Sequence, residues 1–372
     1  MRLLLCGGGT AGHISPALAI ADEAKRIFPD TKILFVGREG GRENDVVKSA
    51  KIELKTINIQ GIKRSVSLDN IKRLKLAIDA RKTSEQIIKD FKPDVILGTG
   101  GYVCWPIISS GRKMNIPTAI HESNISPGLT TRLLANKCSL VLLGNDECKK
   151  HLSKRAKILT VGNPVSESFR AGSRIEARRS LGIKDDEIFI LSFGGSIGAD
   201  KLNNVVIEVM KKHSAKNPKI KHIHATGHRY FDKILASNLE INSSGCSIVP
   251  YIENMPMVLK AADIVICRCG SMTLAEISTI GVASILVPSP NVSGNHQYKN
   301  AKYLADHDAA IMIEEKNLSA DKLIEALNML ENEKNGRKNR AKTIKAFSTP
   351  DSAKMIVKEL NLLKNNVKGT LF

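Results

Sequence analysis

The residues of this sequence with the clearest chemical potential form a glycine-rich stretch near its start. Residues 7–13 read Gly-Gly-Gly-Thr-Ala-Gly-His, directly after the apolar run at 3–6 and before a helix predicted to begin near Ser15 and Pro16. Such a turn leaves backbone N–H groups free beside the positive end of a helix, where a phosphate or another anion binds. His13 adds a titratable base to the same loop. The stretch therefore predicts an anion site with a proton acceptor at the carboxyl end of a first parallel strand.

A second stretch, residues 267–276, predicts a cradle for a diphosphate. It reads Cys-Arg-Cys-Gly-Ser-Met-Thr-Leu-Ala-Glu, and Gly270 with Ser271 would turn the chain from a strand into a helix. The N–H groups of that helix end and the hydroxyls of Ser271 and Thr273 suit phosphate oxygens, and they would stabilise a nucleotide-diphosphate leaving group without a metal. Glu276 lies in the first two turns, where it is either an acceptor for both hydroxyls of a ribose or simply a favourable acid near a helix N-terminus.

Two more glycine-rich loops follow strand-like runs. Residues 98–102 read Gly-Thr-Gly-Gly-Tyr, and residues 194–199 read Gly-Gly-Ser-Ile-Gly-Ala. Loops of this kind in both halves imply a cleft between two nucleotide-fold domains. The loop at 7–13 also fits the dinucleotide fingerprint, through Gly7, Gly9 and Gly12. The acid expected at the end of the second strand is displaced to Glu39, behind Gly37 and Arg38, so a dehydrogenase is disfavoured.

Apolar runs alternate with segments of helical period along the whole chain. The predicted strands lie at residues 3–6, 33–36, 95–97, 118–120, 140–143, 188–193, 222–225, 264–267 and 284–287. This alternation predicts an α/β fold with parallel sheets covered on both faces. The turn signal Val-Gly-Asn-Pro-Val at 161–165 marks the predicted hinge, and residues 348–352 open a last helix that could pack on either domain.

Composition narrows the class of partner. Lysine and arginine total 56 against 37 acidic residues, which gives a net charge of +19 and favours anionic partners. Aromatic residues make up only 4%, with no basic strand interleaved by aromatics, so we expect no nucleic acid. The seven cysteines form no paired framework and Cys267 and Cys269 lack a second pair at zinc spacing, which predicts a reduced, cytoplasmic protein without a metal site. No run approaches ~18 apolar residues, so a membrane would be met only from its surface.

Several motifs in one order resemble the MurG family. They are the loops at 7–13, 98–102 and 194–199, His-Glu-Ser-Asn at 121–124, Gly-Asn-Pro-Val at 162–165, the stretch 268–276, and His296 and Gln297 followed by Asn300 and Ala301. The resemblance covers residues 1 to about 315 of the chain. It implies a bacterial inverting transferase, without cofactor or metal, that moves N-acetylglucosamine from UDP-GlcNAc to the muramoyl 4-hydroxyl of undecaprenyl-diphospho-MurNAc-pentapeptide.

The resemblance also implies an architecture. It is the GT-B type, two Rossmann-like domains with parallel sheets facing a central cleft, and a C-terminal helix that crosses back to the first domain. We expect an N-terminal acceptor and membrane-associating domain at 1–162 and a donor domain for the UDP-sugar at 163–345. The C-terminal helix and a frayed tail would occupy 346–372.

The resemblance assigns roles residue by residue. His13 would be the general base, although a helix-capping or merely packed histidine is the alternative. Contacts to the donor would come from Thr10, Ala11, Gly12, Asn124, Ser196, Ile252, Ser271, Met272, Thr273, Glu276 and Gln297. Among these, Ile252 would face the uracil, Ser196 and 271–273 the phosphates, Glu276 the ribose, and Asn124 and Gln297 the sugar. Ser166 stands where the family commonly has an arginine, which leaves that donor contact uncertain, and Arg170 is a possible substitute.

The acceptor and the membrane would meet the first half of the chain. The acceptor candidates are Gly100, Gly101 and Tyr102. Residues 61–82 mix basic residues with an apolar row, and Lys72, Arg73, Leu74 and Ile78 are the candidates there for contact with anionic lipids on the cytoplasmic face of the membrane. The alternative is an ordinary amphipathic helix whose apolar face is core. At the level of function, a UDP-GlcNAc 2-epimerase, a transferase with a soluble acceptor and a basic surface-binding protein stay open.

Overall fold

The computed structural model describes residues 1–41, 43–61, 69–195, 197–243, 245–332 and 334–368. The chain divides into two compact units. The first unit is Met1–Ser166 together with the chain from Thr349, and the second unit is Glu167–Ser348. These divisions fall within a few residues of the boundaries expected after residues 162 and 345.

The first unit contains a parallel sheet of seven strands. Its strands are β1 (Arg2–Cys6), β2 (Lys32–Arg38), β3 (Glu53–Ile57), β4 (Val95–Gly98), β5 (Thr118–Glu122), β6 (Leu140–Leu143) and β7 (Ile158–Thr160), and their order across the sheet is β3-β2-β1-β4-β5-β6-β7. Its helices are α1 (Ala11–Ile27), α2 (Glu43–Ser49), α3 (Asp69–Phe91), α4 (Cys104–Lys113), α5 (Leu129–Leu134) and, from the end of the chain, α14 (Ser352–Lys368). The return of α14, which packs on α1, agrees with the helix expected to cross back to the first domain.

Alternation along the strands builds a core on each face of this sheet. Leu3 and Leu5 belong to the core that contains residues of α1 and α14, whereas Leu4 and Cys6 belong to the one that contains residues of α3 and α4. Successive side chains of a strand point to opposite faces, so a strand covered on both sides must be apolar throughout. This is why the central strands were recognisable as short apolar runs.

The second unit repeats the plan with a parallel sheet of six strands. The strands are β8 (Ile188–Phe193), β9 (Ile220–Ala225), β10 (Cys246–Val249), β11 (Ile264–Cys267), β12 (Ala283–Leu286) and β13 (Ile311–Met312), in the order β10-β9-β8-β11-β12-β13. The helices are α6 (Arg174–Ser180), α7 (Asp200–Lys212), α8 (His228–Ala236), α9 (Met255–Ala261), α10 (Ser271–Ile280), α11 (His296–Ala305), α12 (Ala320–Asn332) and α13 (Lys334–Lys345). Two units with parallel sheets confirm the predicted α/β class.

The predicted start of the first helix is wrong. Thr10 has an extended backbone, with φ −149° and ψ 154°, and α1 begins directly after it at Ala11. Pro16 therefore lies inside the helix, where it removes one hydrogen bond instead of marking the start. The consequence for chemistry is that His13 occupies the first turn of α1 and not a loop ahead of it. Among the described residues, no helix has the length and apolar character needed to span a bilayer.

Candidate active site

His13 is held in one defined orientation by the loop that precedes it. Its Nδ1 lies 2.8 Å from the carbonyl oxygen of Gly8 and 3.3 Å from Oγ1 of Thr10. A carbonyl oxygen only accepts, so the shorter contact places the proton on Nδ1. Nε2 then carries the lone pair, which is the form of imidazole that can take a proton from a substrate.

The second glycine loop packs directly on the His13 ring. A Cβ on Gly100 would lie 2.5 Å from Cδ2 and 2.9 Å from Nε2 of His13, and one on Gly101 would lie 2.3 Å from the oxygen of Gly8. Both glycines also have positive φ, +118° and +85°, a region that other residues rarely adopt. Oγ1 of Thr99 donates to the backbone oxygen of His13 at 2.6 Å. The two loops are therefore joined around the imidazole.

Tyr102 and Asn124 lie in the same unit but in different environments. The ring of Tyr102 stands 3.1 Å from where a Cβ of Gly61 would be and 3.7 Å from that of Gly9. The amide nitrogen of the Asn124 side chain donates to Glu122 at 3.0 Å. The side chain of Asn124 is thus oriented by a carboxylate.

Glu122 is an organising residue that sequence reasoning missed. It is buried at the end of β5, and its oxygens accept from the N–H and side chain of Asn124, from the N–H of Gly128 at 2.9 Å and from the hydroxyl of Thr131 at 2.7 Å. The signal was an acid at the carboxyl end of a strand, inside His-Glu-Ser-Asn. Its neighbour His121 is buried and bonded to the oxygen of Gly162 at 3.0 Å, and burial lowers the pKa of this histidine.

The other residues expected to contact the UDP-sugar in this part of the chain are Gly12, Ala11 and Ser166, with Arg170 as the substitute. Gly12 lies in the first turn of α1 beside Thr10, and the side chain of Ala11 lies outside what the structure describes. Ser166 is the last residue of the first unit before the division. Arg170, offered as a substitute for the missing arginine, forms an ion pair with Glu167.

In the second unit, α10 presents an uncapped N-terminus at the end of β11. Its N-cap is Gly270, which has an extended backbone and no side chain to bond the first N–H groups. The N–H groups of Ser271, Met272 and Thr273 have no partner within the helix, because they belong to its first turn. This is the arrangement in which helix ends bind phosphate.

The side chain of Gln297 holds the loop that leads into the N-terminus of α10. Its Oε1 accepts from the N–H of Cys269 at 3.2 Å and from the N–H of Ser289 at 2.9 Å, so it ties the loop after β11 to the loop after β12. The carbonyl oxygen of Gln297 is therefore occupied, and its Nε2 is the group left to donate to a ligand. The side chain of Asn300 donates to the oxygen of Cys269 at 3.3 Å and supports the same loop.

Arg268 is a second organising residue that the sequence did not reveal. It donates to the backbone oxygens of Val287 at 3.2 Å and Pro288 at 3.3 Å, and it forms an ion pair with Glu315 in which both side chains are largely buried. The pair connects the loops after β11, β12 and β13. Its partner Glu315 is about 50 residues away in the chain, so no local pattern could indicate it.

Glu276 is the one strongly perturbed carboxyl among the candidates. Burial raises its pKa to about 8. In the part of the chain that the structure describes, its carboxyl has neither a hydrogen-bond partner nor an ion-pair partner. Such a group is stabilised by a ligand that donates hydrogen bonds to its charged form.

The remaining candidates for contact with the UDP-sugar are Ile252 and Ser196. Ile252 follows the edge strand β10 with a buried side chain, and its backbone N–H and C=O have no partner among the described residues. The glycine loop after β8 is close packed, because a Cβ on Gly198 would lie 2.0 Å from the oxygen of Thr226. Ser196, which was expected at the diphosphate, lies outside the described residues.

Comparison with known proteins decides the family. Residues 3–143 match the glycosyltransferase family 28 N-terminal domain, and residues 189–356 match the glycosyltransferase family 28 C-terminal domain. The chain belongs to glycosyltransferase family 28. An Acetivibrio thermocellus protein is 38% identical over 370 residues, which cover 99% of this chain and 100% of that protein. A Bacillus subtilis protein is 36% identical over 368 residues, with 98% and 100% covered.

Both relatives of this family-28 chain are named UDP-N-acetylglucosamine–N-acetylmuramyl-(pentapeptide) pyrophosphoryl-undecaprenol N-acetylglucosamine transferase. The crystal structure of Acinetobacter baumannii MurG superposes with a TM-score of 0.76 at 26% identity, over 97% of this chain and 99% of that one. A UDP-GlcNAc 2-epimerase from Neisseria meningitidis reaches a TM-score of 0.68 at 15% identity over 96% and 99%, a likeness of fold alone. The MurG resemblance and the glycosyltransferase class are thereby confirmed.

Within the described ranges, no three His, Cys, Asp or Glu side chains lie close enough together to bind a metal ion. Cys267 and Cys269, the pair weighed as half a site, are buried free thiols. Burial raises the pKa of both.

Proposed function

We propose that this chain transfers N-acetylglucosamine from UDP-GlcNAc to the muramoyl 4-hydroxyl of undecaprenyl-diphospho-MurNAc-pentapeptide, with inversion at the anomeric carbon. The relatives that support this proposal match the chain over nearly its whole length and carry the name of that transferase. The observation in the structure that carries the chemistry is the orientation of His13, whose Nδ1 contact to Gly8 leaves Nε2 as a proton acceptor.

In the proposed reaction His13 is the general base. The acceptor hydroxyl oxygen bonds to the anomeric carbon as its proton passes to Nε2, and the bond from that carbon to the diphosphate oxygen breaks. The resulting imidazolium stays hydrogen-bonded through Nδ1 to Gly8, so its charge develops next to a carbonyl dipole that favours it. A positioned base of this kind contributes about 10²–10⁴-fold to a rate.

The second unit would hold the donor. The free N–H groups at the start of α10, together with the hydroxyls of Ser271 and Thr273, would donate hydrogen bonds to the diphosphate of the leaving UDP. They would stabilise the negative charge that builds there, because the helix end carries roughly half a positive charge. A metal is then not required. The Glu276 carboxylate would accept the ribose hydroxyls, Nε2 of Gln297 would donate to the sugar, and the unpaired N–H and C=O of Ile252 suit the edge of uracil.

Other donor and acceptor contacts follow the family resemblance. Thr10, Ala11 and Gly12 would line the sugar and diphosphate, and Asn124 would contact the transferred sugar from the position that Glu122 gives it. Ser196 would meet the diphosphate. Gly100, Gly101 and Tyr102 would border the acceptor. Because Arg170 is paired with Glu167, we do not assign it the place of the arginine absent at Ser166.

We further propose that the first unit rests on the cytoplasmic face of the membrane and binds anionic lipids. In α3, Ile78 is 53% exposed, and on α5 Leu129 and Leu133 are 68% and 50% exposed. Helices α3, α4 and α5 pack in succession on one face of the sheet. Of the other candidates in α3, Arg73 donates to the oxygen of Gly61, and the side chains of Lys72 and Leu74 lie outside the described residues.

The test of the reaction is UDP release from UDP-GlcNAc, with and without a short-chain analogue of the lipid acceptor and with EDTA present. We expect release that depends on the acceptor, survives EDTA and falls by roughly 10²-fold or more in His13→Ala. His151→Ala, an exposed histidine on the same unit, is the matched control and should keep full activity. Release without acceptor would indicate an epimerase or hydrolase instead, and loss with EDTA would overturn the metal-free step.

The test of the membrane proposal is co-sedimentation with vesicles of phosphatidylglycerol. We expect Ile78→Glu to weaken binding, and binding of the wild type to fall as salt is raised because the attraction to anionic headgroups is screened. Ile175→Glu is the matched control, since Ile175 is 69% exposed on α6 of the second unit. Equal losses in both variants would contradict the proposal.

A further inference from the structure

The first unit has a cavity at the edge of its sheet where the strands begin. Its volume is about 710 Å³, and it lies between the last turn of α3 and the first residues of β2 and β3. The glycine loops follow the other ends of the strands. Since β1 has five residues and a strand rises about 3.3 Å per residue, roughly 15 Å separate the two edges. A ligand in this cavity is therefore separate from the candidate active site, and the volume is in the usual range for a small molecule, about 300–1,000 Å³.

Cations outnumber acids in the lining of this cavity. Its charged side chains are Arg2, Lys25, Lys32, Lys51 and Lys55 against Glu53 and Asp90. Arg2 stands beside Lys32 at the start of the β1–β2 pair. Leu34 stands beside Glu53 in the β2–β3 pair, and Lys32 and Lys51 precede these two residues by two positions each. The starts of three adjacent strands thus each carry a cation, and charges of one sign repel one another unless an anion lies among them.

Three of these lysines have no internal partner. Lys32, Lys51 and Lys55 are exposed, and within the described residues their ammonium groups form neither an ion pair nor a hydrogen bond. Arg2 is engaged, because its Nε donates to the backbone oxygen of Phe91 at 2.7 Å. It thereby covers the carboxyl end of α3, whose partial negative charge would otherwise repel an anion. A multiply charged anion would relieve the repulsion among the three lysines, and the concave shape of the site concentrates their field.

The spacing of the strands favours phosphate over an acidic peptide. Neighbouring strands lie about 4.8 Å apart, whereas carboxylates on one side of an extended peptide repeat only every ~6.8 Å. A chain of phosphate groups carries its charges closer together, and lysine binds phosphate as a point charge. We propose that this cavity binds a soluble ligand with two or more phosphate groups, held by Lys32, Lys51 and Lys55. The proposal does not depend on the transfer reaction, because it places the ligand at the edge of the sheet opposite the glycine loops.

Lys51 offers a substitution that removes a charge without straining the fold. It follows α2 with a left-handed backbone, φ +53°. Its N–H donates to the oxygen of Lys48 at 2.9 Å, and the N–H of Ile52 donates to that of Val47 at 3.3 Å. At this position of a helix end of this kind, glycine is the usual residue. Lys51→Gly should therefore lose the ammonium group while keeping the turn.

The experiment measures binding of inorganic tripolyphosphate to the full chain by calorimetry, with saturating UDP so that the proposed diphosphate site is filled. We expect Lys51→Gly and Lys32→Gln each to weaken the binding of tripolyphosphate by about tenfold, because each removes one charge-assisted contact. Acceptor-dependent UDP release should stay as in the wild type, and the urea midpoint should not fall. Lys338→Gln is the matched control, since Lys338 is exposed on α13 of the second unit and forms no ion pair with any described residue. It should bind tripolyphosphate as the wild type does.

Three outcomes would overturn the proposal. If the wild type does not bind tripolyphosphate at millimolar concentration, the cavity is not a phosphate site. An equal loss in Lys338→Gln would show that the attraction comes from the net charge of the chain and not from the cavity. If poly-glutamate or vesicles of phosphatidylglycerol bind in a way that depends on Lys32 and Lys51 while tripolyphosphate does not, these lysines contact a protein or a membrane instead of a phosphate ligand.

Discussion

The substitution Gly100→Ala should displace the ring of His13, the proposed base, while leaving the histidine itself unchanged. The added methyl would stand 2.5 Å from Cδ2 and 2.9 Å from Nε2 of His13, whereas carbon atoms in contact are normally about 3.5–4.0 Å apart. The imidazole must then move by about 1 Å, which breaks the alignment set by the contact of Nδ1 with Gly8. A misplacement of that size costs on the order of 10²-fold in rate.

The assay is acceptor-dependent UDP release, measured beside calorimetric binding of UDP. We expect Gly100→Ala to lower kcat by about 10²-fold and to change UDP affinity much less, because the proposed contacts of the second unit to UDP are left intact. The matched control is Gly40→Ala. Gly40 has a positive φ of +63° but nothing within 4 Å of an added Cβ, so it incurs only the backbone cost of about 1–2 kcal/mol and should stay active.

A double-mutant cycle of Gly100→Ala and His13→Ala tests whether the effect of Gly100→Ala passes through the imidazole. If Gly100→Ala acts only through the imidazole, it should have little further effect in a chain that already carries His13→Ala. A second loss of about 10²-fold on that background would show that Gly100 serves the acceptor or the fold directly. The account of how the two glycine loops position the base would then be wrong.

Three further predictions concern the second unit. Because burial raises the pKa of Glu276 to about 8 from 4.5, UDP should bind more weakly as pH falls below 8, by up to about tenfold per unit, and the unfolding free energy of the unliganded wild type should fall relative to that of Glu276→Gln as pH rises from 4.5 through 8. Calorimetry and urea unfolding of the two proteins across this range should show both trends. Burial lowers the pKa of His224 to about 4 from 6.5, so the unfolding free energy of the wild type should decline relative to that of His224→Gln as pH falls from 6.5 towards 4, by up to about 3 kcal/mol. Urea unfolding of the two proteins between pH 7 and 5 checks this, and a slope should remain in the variant because burial also lowers the pKa of His222. Arg268→Lys should weaken UDP binding by roughly tenfold because a lysine cannot keep the bonds to Val287 and Pro288 while it pairs with Glu315; unchanged binding would refute the role given to this pair.

The elements recognised from sequence and those missed differ in where they lie in the sheets. Every strand predicted as an apolar run is an inner strand covered on both sides, and most of these strands are apolar throughout. The exception is β9, in which His222 and His224 are buried with hydrogen bonds to Ser192 and Ser214. Within the described residues, the strands not predicted are the edges of the two sheets, β3, β7, β10 and β13. β7 and β13 have only three and two residues, and β3 and β10 carry exposed polar side chains at Glu53, Lys55 and Ser247, which interrupt the apolar pattern.

At the candidate site, the glycine loops also have features that their sequences predict and features that only the tertiary structure shows. Their sequences alone indicated turns at the carboxyl ends of strands and an anion-binding helix end, because glycine is required wherever φ is positive or two backbones approach closely. The sequence did not indicate why Gly100 must lack a Cβ. That depends on a ring 87 positions earlier in the chain, and only the pairing of β1 with β4 brings the two together.

The sequence by itself determined the α/β class, the central strands, the glycine turns that follow them and the start of α10 directly after Gly270, because each follows from local residue types and spacing. The tertiary structure decided which nitrogen of His13 is free, that Glu122 orients Asn124, and that Gln297 and Arg268 hold the cradle. These depend on hydrogen bonds and burial created when distant segments pack, and a carbonyl or a carboxylate gains such a partner only once the sheet has placed it.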